Sequence, residues 1–542
     1  MATGAGPAAP PPPDAPASRG GKWLPMPFVA LGLALIIVDA TIVNVAIPSI
    51  IRDLGITTTD AEWVNSIYAL VFASLLLVTG RAGDVIGRRR VFIIGVAVFM
   101  GASILAGLAP NGEALIAARL LQGVGGAMVL PNSLSTVNAL YRGADRAVAF
   151  GIWGATIGGT AALGPLIGGW LTEYYSWRWA FLVNIPLGLL VIWGMARFVP
   201  ETKDPSARRG VDLPGTVLSI VGLSALVFAL IEGQNYGWWT PTRPFTAFGA
   251  AWPLTGVSPS GVAFLVSAGA LAAFIAVERS RLARGRLVLL DLRLFRIPSF
   301  SLGNVAALII NMGEFGLLFT LPLFLQSVRG YSPLGTGVIL LGLALGSFLA
   351  GPLAGQLAAR IGPKPVVLIG LALEVVGIAG VGFTVSPDVA GAALFPWLFV
   401  YGIGVGFATA QVTNVILADV PVAESGQASA VQSTSRQVGA ALGTAVLGAV
   451  LVTTLRGEAE TSLAQAGAPD PAQLAAAVTA QPSEAIPALA GQPDGPALLA
   501  AVAQAFADAT AYVGWTAAGF VLLGLLAAAF LPRGATRVRP GR

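Results

Sequence analysis

The chain alternates long apolar runs with short polar joints. Apolar runs recur near 27–50, 62–80, 91–109, 114–138, 148–171, 180–199, 213–232, 261–278, 300–325, 333–356, 365–386, 392–417, 428–452 and 512–531. Each has about the 20 residues that carry a helix across a hydrocarbon core of roughly 30 Å. A helix satisfies its own backbone polar groups in lipid, so the pattern predicts fourteen helical spans. Residues 1–22, rich in Ala, Pro and Gly without an apolar stretch, are expected to form a disordered tail rather than a signal peptide. Residues 279–298 mix arginines with leucines, which predicts an amphipathic helix lying at the membrane surface. Residues 455–510, rich in Ala, Pro, Gln and Gly, form the longest loop and are expected to make a partly ordered cap.

Charge sets the direction of threading. Of 31 Lys and Arg residues, 24 fall in tails and loops on the side of the N-terminus. Five (Arg52, Arg178, Arg243, Arg329 and Arg456) fall on the other side, and Arg119 and Arg436 lie inside spans. The bias places both termini in the cytoplasm of a multi-pass protein of the inner (plasma) membrane. With 55% hydrophobic and 11% charged residues over 542 positions, the chain is too apolar and too long for one soluble core. The lipid bilayer is therefore its expected solvent and partner. The net charge of +5 does not point to nucleic acid, because the arginines are scattered through loops. Without any Cys or His, proton chemistry must fall to carboxylates, and no metal site or cofactor is expected. No nucleophile–base set and no nucleotide-binding loop is present, so neither an enzyme nor an ATP-driven machine is expected.

The joint after the second run reads Gly80-Arg-Ala-Gly-Asp84-Val-Ile-Gly87-Arg88-Arg89-Arg90. A weaker copy after the tenth reads Gly355-Gln-Leu-Ala-Ala359-Arg360-Ile-Gly362-Pro-Lys364, with Ala359 in place of Asp84. An internal repeat of this kind suits a transporter built from two related halves. Other motifs are Asp39-Ala-Thr41-Ile-Val-Asn44-Val-Ala-Ile-Pro48 in span 1 and Arg119-Leu-Leu-Gln122-Gly123-Val-Gly125-Gly-Ala127 in span 4. Span 5 carries Gly164-Pro165-Leu-Ile-Gly168-Gly169; Trp177-Arg-Trp179-Ala-Phe181, Asn184-Ile-Pro186 and Ser435-Arg436-Gln437-Val-Gly439 follow. Together and in this order these resemble the major facilitator superfamily, and within it the fourteen-span drug:proton antiporters, over roughly residues 25–455 and the last span.

The resemblance implies an all-α polytopic membrane protein with two six-helix bundles plus two linking helices. The bundles are expected at 23–200 and 299–542, the second including loop 455–510, with the linking spans and amphipathic segment at 201–298. It implies a monomer that exchanges protons for small amphipathic or hydrophobic compounds; a transporter of lipids or cell-envelope precursors is the alternative. Ser66 stands where the family's pumps for multivalent cations carry an acid, which argues against dications as cargo.

A mid-membrane charge costs at least about 2.5–3.5 kcal/mol, so an idle carboxylate at Asp39 is not expected. Asp39, Arg119 and Glu314 are the candidates for proton coupling, Glu314 being the near-equivalent of Asp39 in the second half. Polar side chains within the spans, Asn44, Gln122, Asn311, Glu314, Gln411 and Asn414, are candidates for the substrate cavity. Gly80, Asp84, Gly87, Arg88, Gly164, Pro165, Gly168, Gly169 and Arg436 are candidates for gating, with Arg436 at one end of span 13 and Asp84 facing residues 426–428. Glu374 is expected to make a polar contact between helices, and Glu232 to mark a membrane exit.

Overall fold

The computed structural model describes residues 21–204, 210–247, 250–480, 482–491 and 494–532. The tail expected at 1–22 thus lies outside the described residues except for a short 3-10 turn at Gly21–Trp23. Spans 1 to 7 are Pro25–Leu54, Thr58–Ile86, Arg88–Gly107, Gly112–Leu140, Gly143–Tyr174, Trp179–Phe198 and Leu213–Tyr236. Spans 8 to 14 are Pro259–Ala283, Pro298–Ser327, Pro333–Ile361, Pro363–Thr384, Gly391–Ile416, Ser425–Gln465 and Gly495–Ala529. Thirteen helices among the described residues are long and apolar enough to cross a membrane, and span 9, at 30 residues, completes the fourteen. The ends are set by ordinary caps. Thr57 and Asp60 form a capping box before span 2, and Asn111, Ser258 and Ser332 accept from the third backbone N–H of spans 4, 8 and 10.

The packing repeats. Span 1 lies against spans 5 and 6, span 3 against 4 and 6, and span 2 against 4. Eight spans later, span 9 lies against 13 and 14, span 11 against 12 and 14, and span 10 against 12. The two halves meet where span 5 packs on 10 and span 2 packs on 13, which are again repeat-equivalent pairings. Spans 7 and 8 pack on each other, and span 7 leans on spans 2 and 13. There the Gln234 amide donates to Ala445 O at 2.7 Å. The Asn235 amide donates to Glu62 at 3.3 Å and to Glu232 at 3.1 Å. Glu232 is buried in this seam, four residues before span 7 ends at Tyr236.

Two expectations made outside the spans are corrected. Residues 279–298 form no amphipathic helix. Span 8 ends at Ala283, and the rest is irregular apart from a 3-10 turn at Leu292–Arg296 capped by Asp291. Leu289, Leu290 and Leu294 are buried in protein, so the apolar side of the segment has no need of lipid. The loop at 455–510 is mostly helix: span 13 runs on to Gln465, span 14 starts at Gly495, and short helices at Pro471–Ala480 and Pro482–Ala490 lie between. Leu463, Val478, Leu489 and Val502 are each buried there, so these alanine-rich helices pack into the body of the protein.

The seam between spans 5 and 10 depends on glycine. A Cβ on Gly151 would meet the carbonyl oxygen of Gly351, and a Cβ on Gly351 would meet Ala155 and the carbonyl of Gly151. On Gly101, by contrast, a Cβ would meet nothing within 4 Å. Gly151→Ala is therefore expected to destabilise the purified protein by about 1–3 kcal/mol through overpacking against backbone. Gly101→Ala is expected to be neutral or stabilising by up to about 1 kcal/mol through helix propensity. Thermal unfolding in detergent measures both; equal shifts of the same sign would refute this account of the seam.

Candidate functional site

Asp39 sits in the middle of span 1 and is fully buried. Its Oδ2 accepts from Arg119 Nη1 of span 4 at 2.6 Å, an ion pair of two side chains no more than 1% exposed. Its Oδ1 accepts from Gln122 Nε2 at 3.0 Å and from Asn184 Nδ2 of span 6 at 2.8 Å. Both amides also donate to Ser103 Oγ of span 3, at 2.8 and 3.1 Å. Arg119 Nε donates to Val64 O of span 2 at 3.0 Å, and its guanidinium lies 4.3 Å from the Tyr68 ring centroid. Five helices thus converge on one carboxylate. Three side chains donate to the carboxylate, and removing Arg119 alone would leave an uncompensated charge costing about 3–5 kcal/mol.

A cavity of about 320 Å³ opens beside this pair, between the two halves. Thr41, Asn44, Asn65 and Arg119 line it from the first half, and Asn311 and Arg436 from the second, among apolar side chains including Ile36 and Phe72. Its outer end lies toward the face opposite the N-terminus, where exposed Asn44 accepts from Asn65 Nδ2 at 2.7 Å.

On the N-terminal face the halves are tied together. Asp84, at the end of span 2, accepts from the backbone N–H groups of Gly426 at 2.9 Å and Gln427 at 3.0 Å. These belong to the first turn of span 13, whose preceding residue supplies no side-chain cap. Asp84 is thus a cap provided by the other half of the molecule, where the helix dipole favours an anion. Arg88 Nη2 bridges Asp84 Oδ1 and Val422 O, each at 2.8 Å. Asn138 donates to Ser425 Oγ at 2.8 Å, and the Arg146 guanidinium to Asn414 Oδ1 at 3.1 Å. Gly80 abuts Gly426 O and Ala430, so a side chain there would push spans 2 and 13 apart. In the other half Ala359 replaces the acid, and the first turn of span 5 has no side-chain cap.

Other expected site residues lie elsewhere. Gln122 does not line the cavity, because its amide is held within the Asp39 network. Gln411 and Asn414 do not line it either; Gln411 donates to Ala147 O at 3.2 Å, and Asn414 donates to Gln411 Oε1 at 3.1 Å and accepts from Arg146 in the closure of the N-terminal face. Glu314 is buried inside the second half, accepting from Thr409 Oγ1 at 3.3 Å, with Tyr401 donating to its backbone carbonyl at 2.9 Å. It faces spans 12 and 11 instead of the cavity, and makes no ion pair among the described residues. Glu374 lies within electrostatic range of Glu314, and neither of its carboxylate oxygens has a hydrogen-bond partner among the described residues. The helix contact expected of it is therefore one of packing, against Gly404 of span 12. Arg436 is not at the end of span 13: the helix starts at Ser425, which places Arg436 at the cavity wall.

The expected gating glycines divide by role. Gly164 and Gly168 seat span 5 on Thr41 and Ile42 of span 1, with Pro165 between them, whereas Gly169 meets Leu334 across the halves. Gly87, at φ 125°, ends span 2 beside Glu201. The Glu201 carboxylate accepts from the N–H groups of Arg89 and Arg90 at 3.1 and 3.2 Å, capping span 3. Sequence reasoning assigned no role to Ser103, Asn184, Asn65, Asn138 or Glu201. Asn184 stood in a noted motif, and depth within a span was the signal available for Ser103. Among the described residues, no group of three or more acids is arranged to hold a metal ion.

Comparison with known proteins agrees with this architecture. Residues 29–444 match the family model described as Major Facilitator Superfamily. The multidrug resistance protein Stp of Mycobacterium tuberculosis is 36% identical over 82% of this chain and 78% of its own. The puromycin resistance protein pur8 of Streptomyces alboniger is 36% identical over 79% and 82%, and the multidrug efflux pump LfrA of Mycolicibacterium smegmatis 33% over 80% and 82%. Among solved structures, the proton:xylose symporter XylE superposes with a TM-score of 0.58 at 14% identity, covering 95% of this chain and 96% of that one. A family match over most of the length, relatives above 30% identity and a shared two-bundle fold lead to one conclusion: the chain belongs to the major facilitator superfamily of membrane transporters.

Proposed function

We propose that this protein exports small amphipathic or hydrophobic compounds, drugs and antibiotics among them, in exchange for protons, with Asp39 as the proton carrier. The carrying observation is the buried Asp39–Arg119 pair beside a cavity that is tied shut on one face. The names of the relatives, which are resistance and efflux proteins, support the direction and the cargo. The excess of arginine and lysine on the N-terminal face supports a cytoplasmic assignment for that face, with both termini in the cytoplasm and the spans in the plasma membrane. The conformation described is then outward-facing. A cavity of about 320 Å³ is of the size that holds a small compound. Because the cavity is enclosed by the two halves of one chain, a monomer suffices.

A proton arriving from outside neutralises Asp39 and releases Arg119 from its partner. Neutral Asp39 crosses the change of packing without carrying a charge past apolar surface. After the halves rock, the proton leaves toward the cytoplasm, Arg119 is recaptured, and substrate enters from inside. Each inward proton contributes about 2.3 kcal/mol per 100 mV of membrane potential.

Asp39→Asn keeps the shape but sets an amide donor where a carboxylate oxygen accepts and leaves Arg119 without its counter-charge, so some stability is lost while proton-driven transport of the folded protein falls at least about ten-fold. Transport of Nile red, a neutral amphipathic dye, in proteoliposomes under an imposed pH gradient measures this, and wild-type rates would refute Asp39 as carrier. Asp84→Asn is expected to shift the population about ten-fold toward an opened N-terminal face, as a hydrogen bond to a charged group contributes about 1.5–3 kcal/mol. The chain has no cysteine, so spin labels on cysteines placed at Ala144 and Val422 report only that distance. An unchanged distance distribution would show that Asp84 is no latch.

A further inference from the structure

We propose that the central cavity recognises its cargo by an acidic group, with the Arg436 guanidinium as the anion anchor. The preferred cargo is then an amphipathic acid, carrying a carboxylate, phenolate or enolate. Calling the ligand cargo rests on the export reading above; the binding site itself does not.

The argument begins with the charges of the lining. Two guanidiniums reach the cavity wall, Arg119 and Arg436, and no carboxylate lines it among the described residues. Arg119 is committed to Asp39, Gln122 and Val64. Arg436 is not committed. Among the described residues it has no hydrogen-bond acceptor and no ion pair, and its recorded side-chain neighbour is the Trp153 ring, 6.0 Å away. Glu314 and Glu374 act on it electrostatically from within the second half, but neither contacts it. A guanidinium presents five N–H donors in a planar fork suited to two oxygens of one anion. In a largely apolar cavity those donors favour a ligand that brings acceptors and a negative charge.

A second observation points to the same place. Ser433 Oγ, Asn311 Oδ1 and the Tyr68 hydroxyl are buried polar atoms of this lining with no partner among the described residues. All three residues are more than nine-tenths buried. Ser433, Arg436, Gln437 and Ala440 lie three and four residues apart, which puts them on one stripe of span 13 facing the cavity. Ile36 and Phe72 across the gap offer apolar contact. The site therefore sets a charged end at Arg436 against a greasy wall. A cationic ligand of the same shape would meet like charge and find no carboxylate, so the cavity also discriminates by repulsion.

Fluorescein and rhodamine 123 test this, because they share a xanthene ring system and differ in charge at neutral pH. Their binding to the purified full chain is read by fluorescence anisotropy. Wild-type protein is expected to bind fluorescein more tightly than rhodamine 123. Arg436→Gln is expected to weaken fluorescein about ten-fold or more and to tighten rhodamine 123, because the like charge that repels it is gone, while Arg436→Lys recovers part of the fluorescein loss. Tighter rhodamine 123 binding by wild type, no binding of either dye, or an Arg436→Gln protein that keeps fluorescein affinity would each overturn the proposal. The wild-type comparison decides the matter even where a variant fails to fold. Fluorescein binding through Arg436 without any proton-driven transport would instead refute the export reading and leave the anion site standing.

Discussion

A carboxylate in the middle of a membrane stays charged only beside a cation, and Asp39 has Arg119 at 2.6 Å. Much of the first half is arranged to make that pair tolerable. Ser103, Gln122 and Asn184 supply hydrogen bonds from three further positions, and the Val64 carbonyl accepts from Arg119 Nε. A half-satisfied network in low dielectric is worse than an apolar core, which explains why so many helices contribute to so few atoms. Spans 1, 2, 3, 4 and 6 are held in register by it as much as by their apolar faces.

The second half repeats the scaffold without repeating this chemistry. Spans 9, 13 and 14 pack as spans 1, 5 and 6 do, yet Glu314 has a threonine hydroxyl where Asp39 has a guanidinium. Helix packing asks only for small residues where backbones approach, as at Gly151 and Gly351, and both halves can meet that demand with different polar contents. Polar side chains must be satisfied one by one and are free to diverge. The same holds for the latch, since Asp84 caps span 13 whereas Ala359 leaves the first turn of span 5 without a side-chain cap.

These differences explain what was legible in the sequence. Lipid imposes a length and an apolar composition on every crossing, so all fourteen spans could be read from the pattern, and charge bias gave them a common direction. The pattern stops where lipid stops. Span 13 runs on to Gln465 and span 14 begins at Gly495 because alanine-rich helix continues outside the membrane with no hydropathy signal to mark it. Within the spans, sequence gives depth but not azimuth. Gln122, Gln411 and Asn414 are polar residues within spans, as a cavity residue would be, yet their side chains turn into a buried network or a seam. Arg436 was misjudged along the axis instead: eleven residues from the helix start amount to about 16 Å, enough to carry it from the gate to the cavity.

The proton site and the latch must also communicate, and the helices differ in how well they can carry the signal. Spans 2 and 4 each touch both places. Span 4 carries Arg119 and, toward its other end, Asn138 on Ser425, but Pro131 lies between them. Proline removes a backbone hydrogen bond and gives the helix a place to bend, so displacement at one end is partly absorbed. Span 2 carries the Val64 carbonyl and Tyr68 against Arg119, and Asp84 against span 13, with no proline over the twenty residues between, a rod of about 30 Å. Releasing Arg119 frees one end of that rod, and the other end holds the gate. The energies are of one order: about 3–5 kcal/mol for an uncompensated buried charge against about 1.5–3 kcal/mol for each hydrogen bond to Asp84. A signal much smaller than the latch would leave it shut, and a latch much weaker than the signal would not hold, so comparable size is what a reversible two-state element requires.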